Sequence, residues 1–358
     1  MVGSRLKLPA EAVRWMVALQ AQDFSMARWA VGVRVPGSTD RAVLAAVNDG
    51  SLVRMHLLRP TWHLAAAEDA RWLLDLTAPQ IRTRLAYRDR QLELTEALYV
   101  RCNRLLERAL RDGVHLSRPE IVQRLKAAGI PVDENRSSHL LLRAELDGVI
   151  SSGACRNTVP TYALLDERVP TGKPVAREEA LARLALRYFQ SRGPATVEDF
   201  AWWSGLSAGD ARLAVESTRR SLDEEERGPV TFLAGALGPT RLPADRQGGA
   251  VHLLPAYDEF TISYADREAV LARVHVSTAI SGNGIFYPTV VSGGLVVGLW
   301  KRLASGASTA VEARVFGRQS AAVRAGVARA VKRLADFWGT ETTLSYRIAR
   351  AGKKGQGA

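Results

Sequence analysis

Ser117-Arg118-Pro119-Glu120 opens the stretch that decides the fold. Ser117 stands where a helix cap belongs and Glu120 lies three residues on, the spacing of a capping box. A helix over 118–128 follows, stopped by Gly129-Ile130-Pro131. A second helix runs from Ser138 to Asp147 and ends at Gly148. Val149-Ile150-Ser151-Ser152-Gly153 and the run from Thr158 to Leu165 then read as a hairpin. Helix, helix and paired strands are the order of a winged helix.

Working outward, the same order recurs twice. Residues 9–20 have the spacing of an amphipathic helix, with Val13, Met16, Val17 and Gln20 on one side. Trp29 to Val35 reads as extended, ending at the turn Pro36-Gly37. Ser38-Thr39-Asp40 caps a helix over 41–49. Leu52 to Leu58 and Arg59 to Leu64 are two strands. A Pro/Gly linker, 169–174, leads to a third unit with helices over 176–191, 196–203 and 207–221. Asp223 to Arg227 reads as a charged turn, with strands over 229–234 and 250–254. The C-terminal part changes character. A hairpin over 286–300 turns at Ser292-Gly293-Gly294, and a strand over 310–316 and a long helix over 318–338 follow. The fold class is α+β, built of tandem winged-helix units over 1–105, 106–170 and 175–255, with a β-hairpin and helix region over 256–350. Residues 351–358 read as a disordered tail.

Bulk composition narrows the function. The 358 residues are 47% hydrophobic, an ordinary globular balance. No apolar run is long enough to span a membrane, and the N-terminus lacks a signal-peptide core. Cys102 and Cys155 share no metal-ligand spacing, so no metal, cofactor or disulfide framework is expected. A cytoplasmic location fits reduced cysteines. The net charge is +12, and 42 of the 49 basic residues are arginine. A GC-rich genome enriches arginine too, but it does not create an excess over acids. The balance points to a polyanionic partner, most simply DNA.

Chemistry-bearing residues are few. There is no phosphate-cradling loop and no serine-hydrolase elbow, and the histidines are scattered. His63, beside Trp62, is either a packed histidine or part of a site, and His56 could approach it across two strands. Asp258 and Glu259 are either an acid–base pair or a cap and a solvated turn. Trp202-Trp203 either stacks on bases or packs in a core. Gln20-Ala21-Gln22 either caps a helix end or forms a site. Just past a helix end, in extended chain, Gln20 and Gln22 face the same side, and Asp23 and Ser25 make a helix end plausible there.

Five segments, in order, resemble the AlkZ-type winged-helix DNA glycosylases. They are Leu19-Gln20-Ala21-Gln22; Arg59-Pro60-Thr61-Trp62-His63; Gly193-Pro194-Ala195-Thr196 with Asp199 to Gly205; Leu254-Pro255-Ala256-Tyr257-Asp258-Glu259; and Val297-Gly298-Leu299-Trp300-Lys301-Arg302. The resemblance runs over nearly the whole chain. It implies tandem winged helices closing a C-shaped basic channel, and excision of N7-alkylated guanine from double-stranded DNA, bulky adducts and interstrand crosslinks included. Such enzymes serve base excision repair or antibiotic self-resistance. The family's Gln-apolar-Gln motif falls on Gln20-Ala21-Gln22, making Gln20 and Gln22 the catalytic pair. A related branch has Asp at the second position, where this chain has Gln22. Asp23, Trp62, His63, Asp258 and Glu259 are expected to support the pair, and Arg59, Lys301 and Arg302 to bind DNA. Only 19 residues precede the motif, fewer than the resemblance leads one to expect. The protein is expected to act as a monofunctional, monomeric glycosylase; a winged-helix transcription regulator is the alternative.

Overall fold

Pro9 and Glu11 begin the first helix, α1 (Pro9–Met16). Proline suits a first turn, and the Glu11 carboxylate accepts the backbone N–H groups of Lys7 and Leu8. The helix ends four residues earlier than its apolar spacing suggests, because Val17 adopts φ 63° and ψ −56°. The chain then enters β1 (Ala18–Gln20). This computed structural model describes residues 5–235, 250–305 and 308–349.

α2 (Phe24–Gly32) and α3 (Asp40–Asn48) follow. Residues 29–35, read above as extended, are thus mostly helical. The Asp23 side chain accepts the Met26 N–H and caps α2. Gly32 has no Cβ, so the Phe337 ring can press against its backbone, and this packing overrides the β-preference of the valines. β2 (Leu52–Leu57) and β3 (Thr61–Ala66) complete an antiparallel sheet ordered β1-β3-β2.

Two helices were not anticipated, α4 (Ala67–Gln91) and α5 (Glu96–Leu110). Residue 105, expected to end the first unit, lies inside α5. The buried side of α5 packs in a core that runs from Leu92 to Tyr162, so the second core starts well before 106. That core also takes in β4 (Leu116–Ser117), α6 (Arg118–Ala127), α7 (Arg136–Leu146), β5 (Ile150–Ser152) and β6 (Thr161–Leu164). Ser117 and Glu120 form the capping box that the sequence calls for.

A short helix, α8 (Leu165–Arg168), precedes α9 (Arg177–Arg192), α10 (Val197–Ser204) and α11 (Ala208–Thr218). Residues 223–227 are not a turn. They belong to β7 (Leu222–Arg227), which pairs with β8 (Val230–Gly235) and points its charges to solvent. β9 (Val251–Leu254) leaves the third unit altogether. After the short helices α12 (Glu259–Ile262) and α13 (Val276–Ala279), it forms a five-stranded sheet with β10 (Thr289–Ser292), β11 (Leu295–Ser305), β12 (Ser308–Phe316) and β13 (Thr342–Ala349). The order is β13-β12-β11-β10-β9, parallel only between β12 and β13. α14 (Ala321–Trp338) packs on this sheet. The tail over 351–358 lies outside the described residues.

The units share their interiors. Val17 and Ala18 belong to a core built largely from α4 and α9–α11, whose aromatic centre is Tyr188, Phe189, Phe200 and Trp203. Leu19 and Ala21 belong to a second core with α2, the five-stranded sheet and α14. Two indoles fasten that sheet. Trp29 Nε1 donates to Leu253 O and Trp300 Nε1 to Leu254 O, both at 2.7 Å. Consecutive carbonyls of β9 are thereby fixed just ahead of residues 258 and 259. Trp300→Phe keeps an aromatic six-membered ring but loses the pyrrole part of the indole with its donor, leaving a buried carbonyl short of a partner. It should lower unfolding stability by about 1–3 kcal/mol, read as a shift of the urea midpoint at unchanged slope.

Candidate active site

Gln20 ends β1 opposite His63 on β3. The Ala21 N–H donates to Trp62 O at 2.7 Å, prolonging the strand by one residue. Leu19 and Ala21 are fully buried, so strand alternation turns Gln20 the other way. Gln22, beyond the strand, is exposed. Its side chain makes no hydrogen bond among the described residues, whereas Asp23 is engaged in capping α2.

The backbone that presents Gln20 is gripped by a buried ion pair. Arg192, the last residue of α9, donates from Nη1 to Met16 O at 2.9 Å and from Nη2 to Ala18 O at 3.0 Å. These carbonyls flank Val17, a β-branched residue in the left-handed half of φ space, so an unfavourable conformation is held from both sides. Arg192 Nη2 also meets Glu259 Oε2 at 2.8 Å. The same Oε2 accepts from Trp203 Nε1 at 2.8 Å and Ser263 Oγ at 2.6 Å. Oε1 accepts the backbone N–H of Gln20 at 2.9 Å. Burial pushes the Glu259 carboxyl up, but the Arg192 charge, the Ser263 hydroxyl and the Gln20 N–H outweigh it and hold the group down at about 2. Glu259 is therefore an ionised anchor with its oxygens occupied, not a proton donor. Asp258 caps α12 through the Phe260 N–H and meets Arg34 through two bonds of 2.8 Å. Neither carboxylate is a solvated turn residue.

The Gln20 side chain is oriented as firmly. Arg59 Nη2 lies 2.8 Å from Gln20 Oε1. A guanidinium only donates, so the atom facing it is the carbonyl oxygen and the amide N–H groups point elsewhere. On the other side Arg54 Nε donates to Ala21 O at 2.9 Å. His63 is packed rather than catalytic in its titration: burial and the Arg59 charge push it down to about 3, so it is neutral. Its Nδ1 lies 2.9 Å from Thr61 O, which places the proton on Nδ1 and leaves Nε2 bare. His56 does not pair with His63; its Nδ1 lies 2.7 Å from Glu145 Oε2. The same carboxylate accepts from Trp62 Nε1 at 3.4 Å through its other oxygen.

Arginines and aromatic rings alternate on both sides of the motif. The Arg54 guanidinium lies 4.2 Å from the Trp62 ring and 5.6 Å from the Phe24 ring. Arg59 and Arg267 lie 5.8 Å and 5.1 Å from the Trp202 ring. Trp203 is buried and Trp202 is half exposed, so the two tryptophans read together in the sequence part company. Lys301 and Arg302 are not brought to the motif. On β11, Lys301 pairs with Glu312, while Arg302 lies over Trp338. The sequence reading missed Arg192, Arg54, Arg34 and Arg267. Arg192 had one signal: it stands immediately before the Gly193-Pro194 segment. Among the described residues no cluster of His, Cys, Asp and Glu could hold a metal, and no helix is long and apolar enough to cross a membrane.

A family model described as DNA glycosylase AlkZ-like matches residues 13–337. The chain is 28% identical over 318 residues to the "Interstrand DNA cross-link repair glycosylase" of Streptomyces sahachiroi, covering 82% of this chain and 81% of that relative. Its fold is similar to the solved structure of Streptomyces sahachiroi DNA glycosylase AlkZ. The TM-score is 0.77 at 23% identity, over 97% of this chain and 95% of the other.

The buried clamp has a pH signature. A carboxyl held below its unfolded value adds stability that is fully present above about pH 4.5 and is lost as pH falls toward 2. Glu259→Gln should cost about 3–5 kcal/mol at neutral pH, because Arg192 is left as an uncompensated buried charge. The variant should also lose less stability than the wild type on acidification through that window. Urea unfolding from pH 7 to pH 3 measures both; parallel curves for the two proteins would contradict the assignment.

Proposed function

The chain belongs to the AlkZ-like DNA glycosylase family, and from that membership we propose that Gln20 and Gln22 hydrolyse the N-glycosidic bond of N7-alkylated purines in double-stranded DNA. The observation that carries this reading is how the acids described beside the motif are employed: Asp23 caps α2 through Oδ1. Glu259 is ionised and fully engaged, and His63 is neutral and buried. A neutral purine would need its base protonated, at N7 or N3, to leave. An N7-alkylated purine already carries positive charge and needs no such donor.

What remains is to place a water and to favour a cationic sugar, and fixed dipoles suit both tasks. Gln22, exposed and unengaged, accepts a proton-bearing side of the water with its carbonyl. Gln20, with its carbonyl held by Arg59, offers amide hydrogens that position the water oxygen or the deoxyribose. No lysine hydrogen-bonds to the motif among the described residues, so the reading is hydrolysis without strand cleavage.

The relative is named for interstrand crosslink repair, and we extend that substrate to this chain: a crosslink through guanine N7 is also a cationic leaving group. The repeated helix–helix–hairpin order supports tandem winged helices, cradling DNA in a basic C-shaped channel, with the C-terminal sheet as a fourth region. A cytoplasmic monomer fits this role.

Base release from a duplex with one N7-methylguanine tests the reading under single turnover. The wild type should release the base at a rate that is flat from about pH 6 to 8, since no group at the motif titrates there. Gln20→Ala and Gln22→Ala should each slow release by about 10²-fold while DNA affinity is kept. A double variant that releases the base at the wild-type rate would remove the motif from catalysis.

A further inference from the structure

Arg54 and Arg59 hold consecutive residues of the motif. One donates to the Ala21 carbonyl, the other to the Gln20 side chain. Each is half-buried, and each faces an indole, Arg54 at 4.2 Å from the Trp62 ring and Arg59 at 5.8 Å from the Trp202 ring. Neither has a carboxylate within ion-pair distance among the described residues, although most other half-buried arginines here do, such as Arg136 with Glu93 and Arg187 with Asp69. Among the described residues, both Nη atoms of Arg54 and Nη1 of Arg59 make no hydrogen bond, and Nε of Arg59 is a buried donor left unsatisfied.

Glu145 and Asp23 offset Arg54 from a distance, but the surroundings of Arg59 deepen its deficit. Arg84 lies close enough to Arg59 to oppose its charge, and Arg59 in turn opposes that of Arg267. Glu259 is the acid that offsets Arg59, but it is already neutralised by Arg192. Half-buried guanidinium groups cost desolvation unless an anion returns it. The facing indoles hold their planes while their outer edges stay available, the geometry suited to a forked contact with a phosphate.

We infer that Arg54 and Arg59 bind the two DNA phosphates that flank the damaged nucleotide, and that through their contacts to Ala21 and Gln20 they hold the motif in register with those phosphates. The proposal rests on the glycosylase reading of the motif. It gives the enzyme a device for confining its chemistry to a correctly seated backbone. Each guanidinium bridges a phosphate outside and a motif residue inside, so the backbone of the DNA is seated against a motif that is already held. Sequence is not read at either contact.

The test uses the full chain and duplexes with one N7-methylguanine, carrying a neutral methylphosphonate at one flanking phosphate at a time. Affinity is measured against salt, and base release under single turnover. For the wild type, neutralising either flanking phosphate should slow release more than it weakens binding. Arg54→Gln and Arg59→Gln should each lower the slope of log affinity against log salt by about 0.9 per lost contact. Each variant should also become indifferent to one of the two methylphosphonates, which a double-mutant cycle resolves. Arg54→Lys and Arg59→Lys should keep the salt slope yet release the base about tenfold more slowly, because one ammonium lacks the fork needed to hold phosphate and motif together. If both Gln variants keep the wild-type slope and full sensitivity to each methylphosphonate, the proposal fails. Should a Gln variant not fold, the wild-type series decides: indifference to neutralisation at both positions overturns it. A wild type that releases no base, yet shows the slope changes, loses the catalytic reading and keeps the phosphate sites.

Discussion

The buried ion pair between Arg192 and Glu259 stands behind the whole site. One end of the pair holds the carbonyls of Met16 and Ala18, and the other holds the N–H of Gln20. Between those points lies Val17, in a backbone conformation that an isolated chain avoids. A buried pair of this kind is a poor source of net stability, because desolvation cancels most of the attraction. Its value is positional. Four backbone and side-chain donors converge on one carboxylate, and no apolar pair of similar size could fix the strand with the same directionality.

The arrangement also separates charge from reactivity. Glycosidic bond cleavage passes through a cationic sugar, and an enzyme acting on neutral bases tunes a carboxyl to give up a proton. Here the carboxylate that receives the Gln20 N–H is fully occupied, and the histidine opposite Gln20 is kept neutral by burial. On the proposed reading, chemistry is left to two amides that do not change charge at any working pH. Selectivity for cationic bases would then come from what the site lacks, with no pocket required to recognise the alkyl group.

Much of the fold was legible because its signals are local. The capping box at Ser117 and Glu120, the turn at Ser292-Gly293-Gly294 and the helix stops at Gly193 and Gly205 each act within a few residues. α4 was illegible for the opposite reason. Its buried residues, from Asp69 to Ile81, occupy nearly every side of the helix, so it has no apolar stripe at a 3.6-residue period. β9 was read as a strand but given to the wrong sheet, since pairing with Thr289 to Ser292 depends on a partner nearly forty residues away. The motif itself was visible only through family resemblance. Nothing in Gln20-Ala21-Gln22 announces that Arg59 will fix one amide, or that Glu259 and Arg192 will meet beneath it.

The hydrogen bond from Gln20 to Glu259 joins residues 239 apart in the chain. During synthesis the motif leaves the ribosome among the first residues and waits for its anchor. At about 5–20 residues per second that delay is on the order of tens of seconds. Any nascent or truncated chain ending before Glu259 lacks the carboxylate that receives the Gln20 N–H and neutralises Arg192. Completion of the chain is thus a condition for seating the motif.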